Sequence, residues 1–522
     1  MTNASNTAET KPHSRLVHNI ASNWANLAVN IAISFFLAPF VVNKLGSTWY
    51  GIWAVVMQFT GYLYLMDFGV RESVIRYTSK YMARRQGRRL NQILTVSFGV
   101  YAPITVLTLI ASATLAWAAP YIFQMDAQHY SAARWTILLV GITIAQTFIS
   151  NVFLGILLGL QRWAINNLVG ITIALVRTMV IVAALQAGHG IITLAAIQLG
   201  SSIVSGVVSA ILATRYLRQL GTSIHIERMS AKRFRALASR VFRYGLFVFL
   251  NNIGQKIIVA SDATIIAIFL TMPSVTYYAI AGSLIDPLRS LLASTALVFA
   301  PIASRLHATG NRQQLGKTAV SGSKLILVIA LPIVLTYIIL GQTFIGLWMG
   351  PEFSQPSGAV LMVLAWAMLA STPSFVLGMV LYGISQHNIT AYLKLAEAAV
   401  NLVLSIVLAR HFGIIGVALG MAIPHTIVSL FVLPYLTCRA IKFPLSALYL
   451  GVFKGPLLAA LPLIAAELWV HRNVQIKGLI PFFSIIALLS AGYLLSVYWF
   501  ALDREERSWA LNILRRRTTG PA

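Results

Sequence analysis

Apolar runs of eighteen or more residues recur from one end of the chain to the other, separated by short polar stretches. Each run is long enough to cross a hydrocarbon core of about 30 Å as a helix. A barrel wall would instead alternate apolar and polar positions in segments of about ten residues. The pattern predicts an all-α polytopic membrane protein of about fourteen transmembrane helices. The spans lie near 20–42, 50–69, 93–119, 134–158, 164–187, 191–214, 244–271, 277–303, 321–342, 357–382, 389–409, 415–437, 445–470 and 478–502.

Composition supports the pattern. Of 522 residues, 58% are hydrophobic and 10% charged, against roughly 25% charged in a soluble domain. The net charge of +26 invites a nucleic-acid reading, but its distribution argues otherwise. Loops on one side of the predicted membrane hold 28 of the 39 Lys and Arg residues and the opposite loops hold five, Lys44, Arg134, Arg410, Arg472 and Lys477. That asymmetry is the positive-inside signature, so both termini are expected in the cytoplasm and no nucleic-acid partner is expected. The first apolar run is too long, and lacks the small-residue cleavage site, for a removed signal peptide. A single cysteine, Cys438, excludes an internal disulfide and a cysteine-based metal site.

The two halves repeat. "LGSTWYGIWAVV" pairs with "MPSVTYYAIAGSL", and each is followed by a basic helix end, "RYTSKYMARRQGRRL" and "APIASRLHATGNRQQL". "GLQRWAINN" from Gly159 pairs with "GISQHNITA" from Gly383, and Gly-Ile-Ile follows 31 residues later at Gly190 and 30 later at Gly413. "SIVS" at 202–205 and "TIVS" at 426–429 complete the series. Four matches in order predict two pseudo-symmetric six-helix lobes plus a C-terminal helix pair. The expected organisation is an N-terminal lobe over 1–214, a basic cytoplasmic linker over 215–243 forming an interfacial helix, a C-terminal lobe over 244–437, and a terminal helix pair with a basic tail over 438–522. Repeat-built membrane proteins commonly hold a substrate near the midplane between repeats, which makes transport the expectation.

With these segments in hand, the chain resembles the polysaccharide-export branch of the multidrug/oligosaccharidyl-lipid/polysaccharide (MOP) exporter superfamily. The resemblance rests on "VVNKLGSTWYGIWAVV", "LYLMDFGVRESVIRY", "SDATIIAIFLTMPSVTYYAIAGSL", "FIGLWMGPEF" and "MVLYGISQHN", and runs to about residue 440. It implies a flippase of the bacterial inner membrane, acting on polyprenyl-pyrophosphate-linked glycans, with membrane lipids and polysaccharide-assembly machinery as further partners and no cofactor.

A charge at the centre of a span costs about 2.5–3.5 kcal/mol on insertion scales, so each one needs a partner, a wet cavity or a function. Arg177 stands some thirteen residues into the fifth span, about 20 Å of helix rise, and its repeat counterpart is Asn401, each 18 residues after the matched glycine. The seventh span carries Asn251, Asn252, Gln255, Lys256 and Asp262. Asn251, Gln255 and Asp262 share one face, and Asn252 and Lys256 a second. Asp286 and Arg289, three apart beside Pro287, form either a self-neutralising pair or part of a substrate site. Lys394 and Glu397 have the same spacing and the same alternatives. Asp67 and Arg71, closing the second span, brace a helix end or gate it. Lys324, Lys394 and Lys454 lie near span ends and can extend to the interface. Arg177, Lys256 and Arg289 are the expected cationic floor for an anionic pyrophosphate, with Asn251, Asn252 and Gln255 bonding sugar hydroxyls. Trp53, Tyr62, Tyr64 and Tyr278 are either sugar-stacking platforms or interface anchors.

Three functions compete. The first flips a lipid-linked glycan precursor by alternating access. The second is a cation-coupled multidrug or metabolite antiporter, for which a carboxylate-dominated cavity is expected; Asp262 and Asp286 are candidates to bind a coupling H+ or Na+. The third, a membrane glycan polymerase or glycosyltransferase, needs a large exported loop or a catalytic constellation. The chain shows neither, and it is not expected to be an enzyme.

Overall fold

The computed structural model describes residues 12–502 and Glu506–Arg507, with side chains at all of these but 12–21, Thr60, 244–260 and His387. The described residues are almost wholly helical and include no strand. They divide into two units at Lys256/Ile257.

Unit 1 contains α1 (Pro12–Leu45), α2 (Ser47–Tyr64), α3 (Val70–Ala83), α4 (Gly87–Ile122), α5 (Tyr130–Gly159), α6 (Trp163–Gln186), α7 (Ile191–Gln219) and the start of α8 (Ala231–Phe269). Unit 2 continues through α9 (Met272–Ala296), α10 (Phe299–Ala308), α11 (Arg312–Ile339), α12 (Gly341–Trp348), α13 (Pro351–Gly383), α14 (His387–Ile427), α15 (Leu433–Ile441), α16 (Leu445–Asn473) and α17 (Leu479–Phe500). Eleven helical stretches among the described residues are long and apolar enough to cross a bilayer. The predicted spans at 389–409 and 415–437 share one of these, and those at 50–69 and 244–271 are not among them. Gly413, at φ 57° and ψ −135°, breaks α14, and Ser405 Oγ then donates to the Val417 carbonyl at 3.4 Å, so the chain doubles back there. The span predicted at 50–69 stops at Tyr64, where a short 3-10 turn and left-handed Phe68 and Gly69 redirect the chain into α3.

The interfacial helix expected over 215–243 does not form as a separate element. Gly221, at φ 73°, follows the end of α7. Residues 222–230 then run without regular structure along the start of α4. Asn91 Nδ2 donates to the Ser223 carbonyl at 2.8 Å, and the Glu227 amide donates to Thr95 Oγ1 at 2.9 Å. The basic stretch from Ala231 belongs to α8, because no breaker interrupts its helix before the apolar run begins.

α5 and α13, which are repeat counterparts, are both central helices of their units. Half of the apolar window in the stretch containing α5 is buried and 61% of that in α13, against 11% in α1 and 17% in α6 and α17. Phe148, Val152 and Ile156 of α5 are fully enclosed, as are Val376, Leu377 and Val380 of α13. The outer helices turn Trp117, Leu168, Leu488 and Leu495 outward, a surface suited to hydrocarbon.

The matched glycines have one physical cause. A Cβ on Gly159 would lie 2.7 Å from the Ile75 carbonyl oxygen of α3, and one on Gly383 would lie 2.5 Å from that of Ala300 in α10. Only glycine permits both approaches. The turns that follow are also the same. Gln161 (φ 58°) and Ser385 (φ 61°) are left-handed, with paired amide bonds back to Leu158 and Leu157 in one case and to Tyr382 and Leu381 in the other, the pattern that closes helix C-termini. A second matched pair joins α3 to α4 at Arg85 (φ 53°) and α10 to α11 at Gly310 (φ 71°).

Candidate functional site

In unit 1, the charge predicted to matter is placed by two apolar helices. Arg177 is half-buried on α6, and its Nη1 donates to Gln198 Oε1 of α7 at 2.9 Å. It forms no ion pair among the described residues. A neutral amide holds the guanidinium in position without cancelling its charge, which leaves other N–H groups for an anionic ligand.

One turn along α7 from Gln198, a neutral network begins that the sequence reading did not single out. Ser202 Oγ donates to Gln146 Oε1 of α5 at 2.7 Å, Gln146 Nε2 donates to Ser150 Oγ at 2.7 Å, and the Thr147 and Ser202 hydroxyls are 3.1 Å apart. The available signal was spacing: Gln198, Ser202, Ser205 and Ser209 recur at helical intervals on one face of α7. A search for charges inside spans passes over such groups.

Asp67 and Arg71 meet through the backbone of α3. Asp67 accepts from the Tyr101 hydroxyl and from the Arg71 backbone amide, while the Arg71 guanidinium bonds Glu72 at 2.8 Å. The left-handed pair Phe68–Gly69 turns the chain between them, so Asp67 meets the first turn of α3 at its backbone. Trp53 packs against Val41, Leu185 and Leu194. Tyr64 meets Phe148 edge-on at 6.3 Å and Tyr62 lies 5.8 Å from Phe59, so the described contacts of these three are with apolar or aromatic neighbours.

In unit 2, four polar groups of α8 and α9 come together. Asp262 is 3% exposed, and its Oδ2 accepts from the Tyr278 hydroxyl at 2.5 Å. Its other carboxylate oxygen has no protein donor among the described residues. Arg289 lies within electrostatic reach of Asp262 and donates to Asp286 Oδ1 at 3.0 Å. Asp286 and Arg289 thus form the ion pair that their spacing allows. The side chains of Asn251, Asn252, Gln255 and Lys256 lie outside the described residues.

The Lys394–Glu397 spacing gains a partner that sequence did not supply. Glu397 is buried, and its Oε1 stands 2.6 Å from Nδ1 of His425. The reversal at Gly413 brings His425 back beside Glu397. Lys394, half-buried one turn earlier, is within electrostatic reach of the same carboxylate. Lys324 gains a partner from the C-terminal segment. It is 7% exposed and bonds Glu506 at 2.6 Å, whereas Lys454 is exposed. Glu467, another group the sequence reading passed over, is 1% exposed on α16 and accepts from Thr336 of α11 at 2.7 Å.

Comparison with known proteins gives the family and the fold. The polysaccharide biosynthesis protein family matches residues 16–307. The uncharacterized membrane protein EpsK of Bacillus subtilis is 22% identical over 501 residues, 95% of this chain and 98% of that protein. The probable low-salt glycan biosynthesis flippase Agl15 of Haloferax volcanii is 24% identical over 231 residues, 44% of this chain and 48% of that one. Among solved structures, the lipid II flippase MurJ in an inward closed conformation shares the fold, with TM-score 0.70 and 15% identity over 93% of this chain and 98% of MurJ.

Proposed function

Because the chain belongs to the polysaccharide biosynthesis protein family, as its resemblance to the polysaccharide branch of the MOP exporters implied, we propose that it flips a polyprenyl-pyrophosphate-linked oligosaccharide. In this reading the glycolipid passes from the cytoplasmic to the outer leaflet of the inner membrane by alternating access, with both termini of the protein cytoplasmic.

The observation that carries the reading is Arg177, a cation inside an apolar helix, held by Gln198 rather than by a carboxylate. An uncancelled guanidinium at that depth suits a ligand that brings its own negative charge, and a pyrophosphate does so. A drug antiporter for cationic cargo would be served by carboxylates open to that cargo. Here Asp262, Asp286 and Glu397 each already meet Tyr278, Arg289 or His425. Those carboxylates are better suited to binding a coupling H+ or Na+ than to holding cargo. The protein moves its substrate and does not transform it.

The test is transfer between leaflets. Full-length protein in proteoliposomes is given a fluorescent undecaprenyl-pyrophosphate-linked disaccharide, and the accessible fraction is followed over time. Wild type speeds transfer, and Arg177→Ala, inserted at equal level, loses about 100-fold. That corresponds to about 2.7 kcal/mol, within the range for hydrogen bonds to a charged group. No acceleration by wild type rejects the function, and an unimpaired Arg177→Ala removes the arginine from it.

A further inference from the structure

The helices around the arginine leave a space unfilled. Between α5, α6 and α7 lies a cavity of about 230 Å3, lined by Thr147, Ser150 and Asn151, by Asn166, and by Ser205 and Ser209. Small residues on transmembrane helices normally let backbones close together. On this face of α7 Gly206 does so, since a Cβ there would lie 2.2 Å from Ser150 Oγ of α5, while Ser205 and Ser209 border the hollow.

Thr147, Ser150 and Ser202 of the lining bond one another or Gln146, so the wall is polar and already ordered. It suits an occupant that forms hydrogen bonds, and an uncharged one, since no ionisable side chain lines the cavity. The volume equals that of about eight waters, below the roughly 300–1,000 Å3 of drug-sized pockets, and suits one sugar ring. The walls match such a ring. Hydroxyls and amides that both donate and accept line much of the cavity, and Leu154 and Val169 contribute apolar surface to its wall, as a ring with a hydroxyl edge and a C–H face requires.

The position relative to Arg177 adds to the case. Asn166, Gly170 and Arg177 follow one another at four and seven residues along one face of α6, so the guanidinium's Cα lies about 10 Å of helix rise beyond that of Gly170. A sugar in the cavity joined to a diphosphate at the arginine would lie along the helix in that order.

We propose that this cavity binds the single uncharged sugar ring next to the pyrophosphate, while Arg177 engages the pyrophosphate itself. The proposal rests on the flippase reading and gives unit 1 a sugar subsite separate from its anion site.

The test uses full-length protein in lipid nanodiscs and two kinds of probe. One is bare undecaprenyl pyrophosphate. The other is the same lipid carrying one galactose or one N-acetylglucosamine. Wild type binds a glycosylated probe about tenfold more tightly than the bare lipid. Ser205→Leu, which fills the cavity, and Asn166→Ala, which removes an amide without filling it, both abolish that preference and keep the affinity for bare lipid. Where Ser205→Leu fails to fold, Asn166→Ala decides alone. A preference that survives in the folded variants overturns the proposal, as does a wild type that binds bare and glycosylated lipids equally. A wild type that binds none of the probes rejects the flippase reading, and the proposal with it.

Discussion

Within α5, α6 and α7 of unit 1, the polar interior is made of hydroxyls and amides around one guanidinium. In unit 2, acids meet bases or phenols: Asp262 with Tyr278, Asp286 with Arg289, Glu397 with His425, Lys324 with Glu506. Both interiors are built on the same repeat, with the same glycine contacts and the same turns. The repeat therefore dictates the backbone and leaves the interior chemistry free to differ. Charge satisfied by the protein is available for structure and for titration, and charge left unsatisfied is available to a ligand. On this contrast α5, α6 and α7 hold a cation against a neutral amide, while most of the buried acids described in unit 2 meet a base or a phenol.

The contrast breaks most sharply at the matched pair Arg177 and Asn401. Arg177→Ala should weaken binding of undecaprenyl pyrophosphate in nanodiscs about 100-fold. Asn401→Ala should change it less than about twofold, because Asn401 is buried and its described bond is to Ser405 of its own helix. Equal losses at the two sites would end the distinction between the units. The next effect is on stability. Tyr278→Phe leaves Asp262 with neither carboxylate oxygen met by a described protein donor, at a cost of about 1–3 kcal/mol, read as a lowered Tm in detergent. Tyr101→Phe should cost less, since Asp67 keeps its bond from the Arg71 amide. The reverse ranking would place the more demanding carboxylate in unit 1. The smallest effect belongs to Asp286→Asn. The Asp286 side chain is 58% exposed, and helix pairs three or four apart contribute about 0.2–0.5 kcal/mol, so Tm should barely move.

Much of this was legible in the sequence. The all-helical class follows from the apolar runs, and the matched positions Gly159 and Gly383 turn out to mark a backbone approach and a helix terminus together. Arg177 was visible because a cation deep in an apolar run has few explanations. The partners were less legible. Tyr278 was read as a sugar platform or an anchor, and its bond to Asp262 depends on how α8 and α9 rotate against each other. His425 reaches Glu397 only because Gly413 reverses the chain, and helical spacing within one segment cannot reveal a contact made across a reversal. The neutral lining of α7 is hidden for another reason. Serine is compatible with close helix packing and with a polar wall alike, and only the unfilled volume distinguishes them.

The turn from α3 to α4 places Arg85 in a left-handed conformation that its counterpart Gly310 adopts freely. For a residue with a Cβ that conformation costs roughly 1–2 kcal/mol. Arg85 also belongs to a cluster with Arg84, Arg88 and Arg89, the kind of positive loop that sets which way a helix enters the bilayer. Glycine here would relax the backbone and weaken that cue. At this residue a relaxed turn and a basic loop ask for different side chains, and the chain carries the arginine.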